Sequence, residues 1–297
     1  MIPVIALSNK FADWGLYLDM QHDFSWEFNG HTFHGITWQP EHYKRVMVII
    51  HGIGEHVERY APLAEFFNAE GYLVTGIDHY GHGKSDDKRG DILKLEAVFD
   101  YLEAFLQQTW DRYPAPMILY GHSMGGGLLT GLLLHRQPDV QAAIISAPAL
   151  LVASKPNAFL RGILRTGAAL LPRLRVKAPL DINKISHDKN EVDKFEKDPL
   201  RHPYASLRLM NILVSNGQWC LSHADRLQIP SLLMHGNADE FTSVDGSRQF
   251  AAKAPDKLVT YKEWEGLYHE MHNEPQRLEV FQFMAGWLSA VELHPLD

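Results

Sequence analysis

Short apolar runs alternate with helical patterns along most of this chain, and that alternation constrains the fold more than any other feature. The runs are "RVMVIIHG", "YLVTGIDHYGHG", "MILYGHS", "QAAIISAPA", "IPSLLMHGNADE" and "KLVTYKEW". Helical patterns lie between them. "VERYAPLAEFFNAEGY" spaces Leu63, Phe66 and Phe67 along one face, a long pattern covers residues 92–113, and "MGGGLLTGLLLHRQP" is stopped by Pro138. A last helical pattern covers residues 275–292. The strand-like runs are continuously apolar, as burial on both faces requires. The order therefore predicts an α/β protein, a mostly parallel sheet flanked by helices.

Ligands of such sheets bind beyond the carboxyl ends of the strands. The loops at those ends are rich in Gly, His and Asp: "HGIGEH", "DHYGHG", "GHSMGG", "HGNADE" and "GLYHEMH". One stretch breaks the alternation. Residues 151–223 read as helices separated by prolines, with no strand, and are expected to form a helical cap inserted into a core of residues 1–150 and 224–297. At 297 residues and 45% hydrophobic, the chain can bury a sizeable core. Its formal net charge of −8 argues against a general nucleic-acid binder. The single cysteine, Cys220, excludes an intramolecular disulfide and reads as a small core residue.

Gly121-His122-Ser123-Met124-Gly125 fits G-x-S-x-G between a strand-like run and a helical one, the setting of a nucleophile elbow. A side chain at either flanking glycine would crowd so tight a turn. Gly126 and Gly127 are expected to let the following helix approach the sheet. A serine hydroxyl needs a histidine base, and that histidine needs an acid to fix its tautomer. In the order serine, acid, histidine, Asp239 follows "HGNA" and His269 lies in the loop before the last helix. Glu240 and His272 are the alternatives. Asp239 is preferred for its shorter side chain, and His269 because His272 falls where the last helix starts. His122, beside the serine, is not read as the base. Two backbone N–H groups are expected to form an oxyanion hole: Met124, which follows the nucleophile, and Ile53, in the loop after an early strand.

With these motifs in place, the chain resembles the α/β-hydrolases, in particular the monoacylglycerol lipase and lysophospholipase group, also classed as serine aminopeptidase-like hydrolases. The stretches "HGIGEHVERYAPLAEFF", "GYLVTGIDHYGHGKSD", "YGHSMGGGLL", "ISAPAL", "HGNADEFTS" and "YHEMHNE" carry the resemblance, in order and over nearly the whole chain. It implies a nucleophile at Ser123, an acid at Asp239, a base at His269, oxyanion donors at Ile53 and Met124, and a helical cap after "SAPAL". No cofactor is implied. The cap is where such relatives differ, so the resemblance says least about substrate.

Within residues 151–180 the charged side chains are all basic: Lys155, Arg161, Arg165, Arg173, Arg175 and Lys177. Phe159, Leu160, Ile163, Leu164, Ala168 and Leu171 recur at helical spacing, with Arg161 and Arg165 on another face. The expectation is a cap helix that packs its apolar side over the site, with Phe159, Leu160, Ile163 and Leu164 as substrate contacts and a lipid-like ester as substrate. Peripheral docking on an anionic membrane is the competing use of such a helix. The first residues lack the features of a signal peptide, and no apolar run reaches the roughly 18–20 residues of a membrane span. The expected location is cytoplasmic, with peripheral contact at a membrane surface if the cap helix docks there.

His79/His82 and His269/His272 have i, i+3 spacing, but neither matches a zinc-protease helix, and no metal is expected. A catalytically silent receptor of this fold is disfavoured by the full set of Ser, Asp and His. Aminopeptidase, thioesterase and general carboxylesterase activities share the acyl-enzyme chemistry and stay open. A dehalogenase or epoxide hydrolase would need aspartate at the elbow.

Overall fold

A computed structural model describes residues 20–153, 157–177 and 181–291. The first residues, read above for a signal peptide, and Lys155 of the basic stretch lie outside the described residues. In chain order the elements of the first half are β1 (Gln21–Phe28), β2 (His31–Trp38), β3 (Arg45–Ile50), α1 (Ala61–Ala69), β4 (Tyr72–Ile77), α2 (Leu95–Arg112), β5 (Met117–His122), α3 (Met124–His135) and β6 (Ala142–Ser146). The second half adds α4 (Ala158–Leu170), β7 (Arg175–Lys177), α5 (Lys189–Lys197), β8 (Tyr204–Ser206), α6 (Leu207–Ser222), β9 (Ser231–Gly236), α7 (Val244–Ala251), β10 (Val259–Trp264) and α8 (Arg277–Ala290).

Eight strands form one sheet in the order β1-β2-β4-β3-β5-β6-β9-β10. The pairs β1/β2 and β2/β4 are antiparallel, and the rest are parallel. Successive residues of the central strands feed two cores. Val46, Val48 and Ile50 of β3 face one side, with Leu128 and Leu132 of α3, Val98 and Leu102 of α2, and Phe250 of α7. Met47 and Ile49 face the other, with Leu63 and Phe67 of α1 and Val280 and Met284 of α8. This two-sided burial explains why the strands read as continuous apolar runs. The structure has the α/β-hydrolase fold.

Two features depart from the sequence reading. An N-terminal hairpin, β1–β2, extends the sheet through a two-residue turn in which Asn29 and Gly30 both have positive φ (49° and 77°). Residues 151–223 are also not strand-free, because β7 and β8 pair antiparallel over three residues each. Such short strands carry no periodicity to read. Within the same stretch α6 packs against α3. Leu209, Ile212 and Cys220 join the core, and Asn216 Nδ2 donates to the Gly127 carbonyl at 2.8 Å.

Candidate active site

The turn between β5 and α3 is built by close approach. Ser123 has φ 55° and ψ −117°, a conformation costly for any residue with a side chain. Its N–H donates to the Ser146 carbonyl of the neighbouring strand at 3.0 Å, which helps hold the turn. A Cβ at Gly125 would stand 1.9 Å from the Ile50 carbonyl oxygen, and one at Gly121 would stand 2.8 Å from that of Gly125. No side chain fits either place, so glycine here is a steric requirement. Met124 is the first residue of α3, where an N–H has no partner within the helix.

Asp239 lies in the loop after β9 and His269 in the loop after β10. His269 Nδ1–H donates to Asp239 Oδ2 at 2.7 Å, which leaves Nε2 to accept from Ser123 Oγ at 2.8 Å. Asp239 is fully buried and saturated with donors. Its Oδ1 accepts from the N–H groups of Phe241 and Thr242, at 2.7 and 3.1 Å. Its Oδ2 accepts from Thr242 Oγ1 (2.7 Å), His235 Nε2 (3.1 Å) and His269. Burial alone would raise the Asp239 carboxyl. The charge of His269 and the hydrogen bonds from both histidines outweigh it and hold the group ionised well below the usual carboxylate range. Burial also opposes a charge on His269, but the Asp239 carboxylate prevails and raises its pKa. The three side chains form a continuous path by which a proton can leave Ser123 Oγ and the resulting imidazolium can be stabilised.

The alternatives separate in space. Glu240 points away to an ion pair with Lys184 at 2.7 Å. The His272 Nδ1 atom lies 3.3 Å from the Tyr120 hydroxyl, and its ring stacks on Tyr60. Burial drives its pKa down to about 3. His122 packs its ring against both His269 and His272.

Ile53 occupies the turn after β3, between Gly52 and Gly54 (φ 72°). That turn is braced by a residue that sequence reasoning left without a role. Glu55 Oε1 accepts from Gly52 N–H at 2.6 Å and from the Tyr60 hydroxyl at 2.7 Å, while Oε2 meets Arg59. Arg59 also makes two bonds to Glu270, the neighbour of His269, and lies over the Phe195 ring of α5. Burial would raise Glu270, but Arg59 holds it at about 2, whereas burial leaves Glu55 raised despite the same arginine. The signal in the sequence was two opposite charges, Glu55 and Arg59, four residues apart in "HGIGEHVER".

His79 and His82 lie with His51 and His202 in a buried group of imidazoles beside this turn. His51 Nε2 accepts from the His79 backbone N–H, and His79 Nδ1 lies 2.6 Å from the Tyr101 hydroxyl. Among the described residues no group of three or more His, Cys, Asp or Glu side chains is arranged to hold a metal ion.

The helix expected to form the cap, α4, departs from expectation. Phe159 is 77% exposed, Ile163 57% and Leu160 50%, and Leu164 is half-buried. The helix leans on α6 along another side, at Gly167 and Leu207, so its apolar face is not packed inward. Part of the basic stretch is engaged: Arg173 pairs with Asp87 and Asp91, and Arg175 donates to the Arg89 carbonyl.

Residues 41–276 match the family model described as serine aminopeptidase, S33. The chain belongs to this hydrolase family. Among S33 hydrolases it is 30% identical over 269 residues to the monoacylglycerol lipase of Mycolicibacterium smegmatis, covering 87% of this chain and 96% of that one. It is 29% identical over 248 residues to phospholipase YtpA of Bacillus subtilis, covering 83% and 95%. The crystal structure of Paleococcus ferrophilus monoacylglycerol lipase superposes with a TM-score of 0.81 at 28% identity, covering 88% of this chain and 99% of that one. As an S33 family member the protein is a serine hydrolase of the monoacylglycerol lipase and esterase group.

Proposed function

We propose that this protein hydrolyses the ester bond of a lipid monoester, a monoacylglycerol or a lysophospholipid, with Ser123 as nucleophile, His269 as base and Asp239 as acid. The observation that carries the reading is the unbroken hydrogen-bonded path from Ser123 Oγ through His269 to the ionised Asp239. His269 Nε2 takes the hydroxyl proton as Oγ attacks the ester carbonyl carbon. The N–H groups of Ile53 and Met124 donate to the oxyanion, with the N-terminus of α3 favouring the same charge. The intermediate collapses as His269 gives its proton to the leaving alcohol. Water, deprotonated by His269, then attacks the acyl-enzyme, and the acid leaves as Ser123 recovers its proton. The named activities of the Mycolicibacterium and Bacillus relatives support a lipid ester over a small one. Residues 151–223 are read as the cap that selects the acyl chain.

The test is a panel of monoglycerides, lysophospholipids, thioesters, aminoacyl amides and p-nitrophenyl esters of rising chain length, run on wild type and Ser123→Ala. The reading expects monoglyceride or lysophospholipid turnover, a preference for longer chains, and a loss of at least about a thousandfold in Ser123→Ala. Short-chain ester turnover without chain-length preference would instead make it a general carboxylesterase. Turnover confined to thioesters or amides would make it a thioesterase or aminopeptidase.

A second reading concerns where the substrate is met. Exposed apolar side chains cluster around α4: Phe159, Leu160, Ile163, Leu170, Leu171 and Leu174. Arg165 and Lys177 are exposed in the same stretch. This combination favours shallow insertion of α4 into an anionic lipid surface. No helix among the described residues is long and apolar enough to cross a membrane, so the contact would be peripheral.

A further inference from the structure

His235 is the penultimate residue of β9, four residues before Asp239, and no step above uses it. Its ring is fully buried, as is the Ser247 side chain of α7 beside it. Nε2 lies 3.1 Å from Asp239 Oδ2 and Nδ1 lies 2.7 Å from Ser247 Oγ. An ionised carboxylate only accepts, so the ring proton facing it belongs on Nε2. Nδ1 must then accept, and the hydroxyl proton of Ser247 points at it. Asp239 Oδ2 thus sits between two imidazole N–H donors, one from His235 and one from His269. Only the second leads to the nucleophile.

We propose that His235 is a positioning residue for the triad, acting with Ser247 to hold the Asp239 carboxylate in place and to share its charge, so that His269 meets a tempered rather than a bare carboxylate. The inference rests on the reading of Ser123, His269 and Asp239 given above. Three observations support a dedicated role over simple packing. The hydrogen bonds run in one sense, from Ser247 to His235 to Asp239, which fixes the tautomer of His235 as firmly as Asp239 fixes that of His269. A Cβ at Gly236 would stand 2.3 Å from the Leu267 carbonyl and 2.5 Å from that of Tyr268, so the end of β9 is pressed against the loop that carries His269. Thr242 Oγ1 donates to Asp239 Oδ2 at 2.7 Å and lies 3.3 Å from His235 Nε2, which holds the carboxylate from a third side.

Loss of the His235 donor leaves the buried carboxylate with more uncompensated charge. His269 then holds its proton more tightly, and fewer molecules have a free base at a given pH. The other titratable groups facing His269 are His122, His272, Glu270 and Glu55, with Arg59 behind the two carboxylates; all stay in place in the variants below.

The experiment compares wild type, His235→Leu, His235→Gln, Ser247→Ala and Ser123→Ala in pH profiles of kcat/KM on a soluble p-nitrophenyl ester. His235→Leu should lose about ten- to a hundredfold in kcat/KM at neutral pH, the scale of one charge-assisted hydrogen bond, and its acid limb should move to higher pH. His235→Gln keeps an N–H where Nε2 stands and should restore most of the rate and return the limb. Ser247→Ala, which frees the tautomer, should fall between them. A rate lost equally at every pH with the limb unmoved, or a Gln variant no better than Leu, overturns the proposal. So does wild-type behaviour in all His235 and Ser247 variants. If His235→Leu does not fold, His235→Gln against Ser247→Ala decides by the same limb. Ser123→Ala separates the two claims: full activity there sinks the triad reading, whereas an inactive Ser123→Ala beside unaffected His235 variants sinks this one alone.

Discussion

Arg59 lays its guanidinium across the carboxylate of Glu270, with Nη1 2.8 Å from Oε1 and Nη2 2.7 Å from Oε2. The same arginine holds Glu55, which in turn holds the Gly52 N–H. One buried cation thus ties the turn that carries Ile53 to the loop that carries His269. Removing it strands two carboxylates away from water. Arg59→Met should cost about 3–5 kcal/mol of stability, read as a lower denaturant midpoint. Adding Glu270→Gln should recover part of that loss. A single variant as stable as wild type would remove the argument.

The pH dependence has two separable parts. The raised pKa of His269 puts the acid limb of kcat/KM above the ordinary imidazole value of 6.5, because the base must be unprotonated to act. A limb centred below 6.5 would contradict the environment described for His269.

Stability should respond to pH with its own sign. His51, His79, His82, His122 and His272 are buried, and burial depresses all five, to about 3 in His51 and His272. The unfolded chain protonates these side chains near 6.5 while the folded one resists. Their contribution is therefore complete above 6.5 and is lost as pH falls below it. For His51 and His272 the loss runs at up to about 1.4 kcal/mol per pH unit between 6.5 and about 3. Melting temperature should drop progressively from pH 7 to pH 5, and replacing His272 by Gln should flatten the drop.

Two glycine substitutions should go in opposite directions. Gly125→Ala forces a methyl against the Ile50 carbonyl and should destabilise by about 3 kcal/mol or more, with activity lost. Gly162→Ala, in α4 with nothing within 4 Å, should stabilise by roughly 0.5–1 kcal/mol. Denaturant titration of the pair measures both.

The exposed α4 face predicts binding to anionic vesicles in preference to zwitterionic ones. Phe159→Ser with Ile163→Ser should weaken that binding far more than it alters hydrolysis of a short-chain soluble ester, which does not reach the acyl-selecting part of the cap. Sedimentation with phosphatidylglycerol and phosphatidylcholine vesicles checks it. Equal partition of wild type and variant would refute the docking.

Much of this site was legible in the sequence because its parts are local. Ser123 announces itself by the glycines around it, and Asp239 and His269 by loops after strand-like runs. The supporting residues were not legible. His235 and Glu55 look like any polar residue at a strand end, and their work depends on Ser247, Arg59 and Glu270 from distant segments. The first hairpin was readable but unread: Asn29-Gly30 between alternating Phe24, Trp26, Phe28 and Phe33 is a strong turn signal. The orientation of α4 could not be read, since its periodicity fixes an apolar face but not what that face meets.

The separation of 146 positions between Ser123 and His269 has a consequence for biosynthesis. During translation the strained serine turn can form once β3, β5 and β6 are paired, yet its base is still unmade. A nascent chain that has reached only β9 holds a nucleophile with nothing to activate it. On the proposed triad, a chain synthesised only that far has no activity toward esters, and reactivity arrives when β10 and the loop after it close onto the sheet.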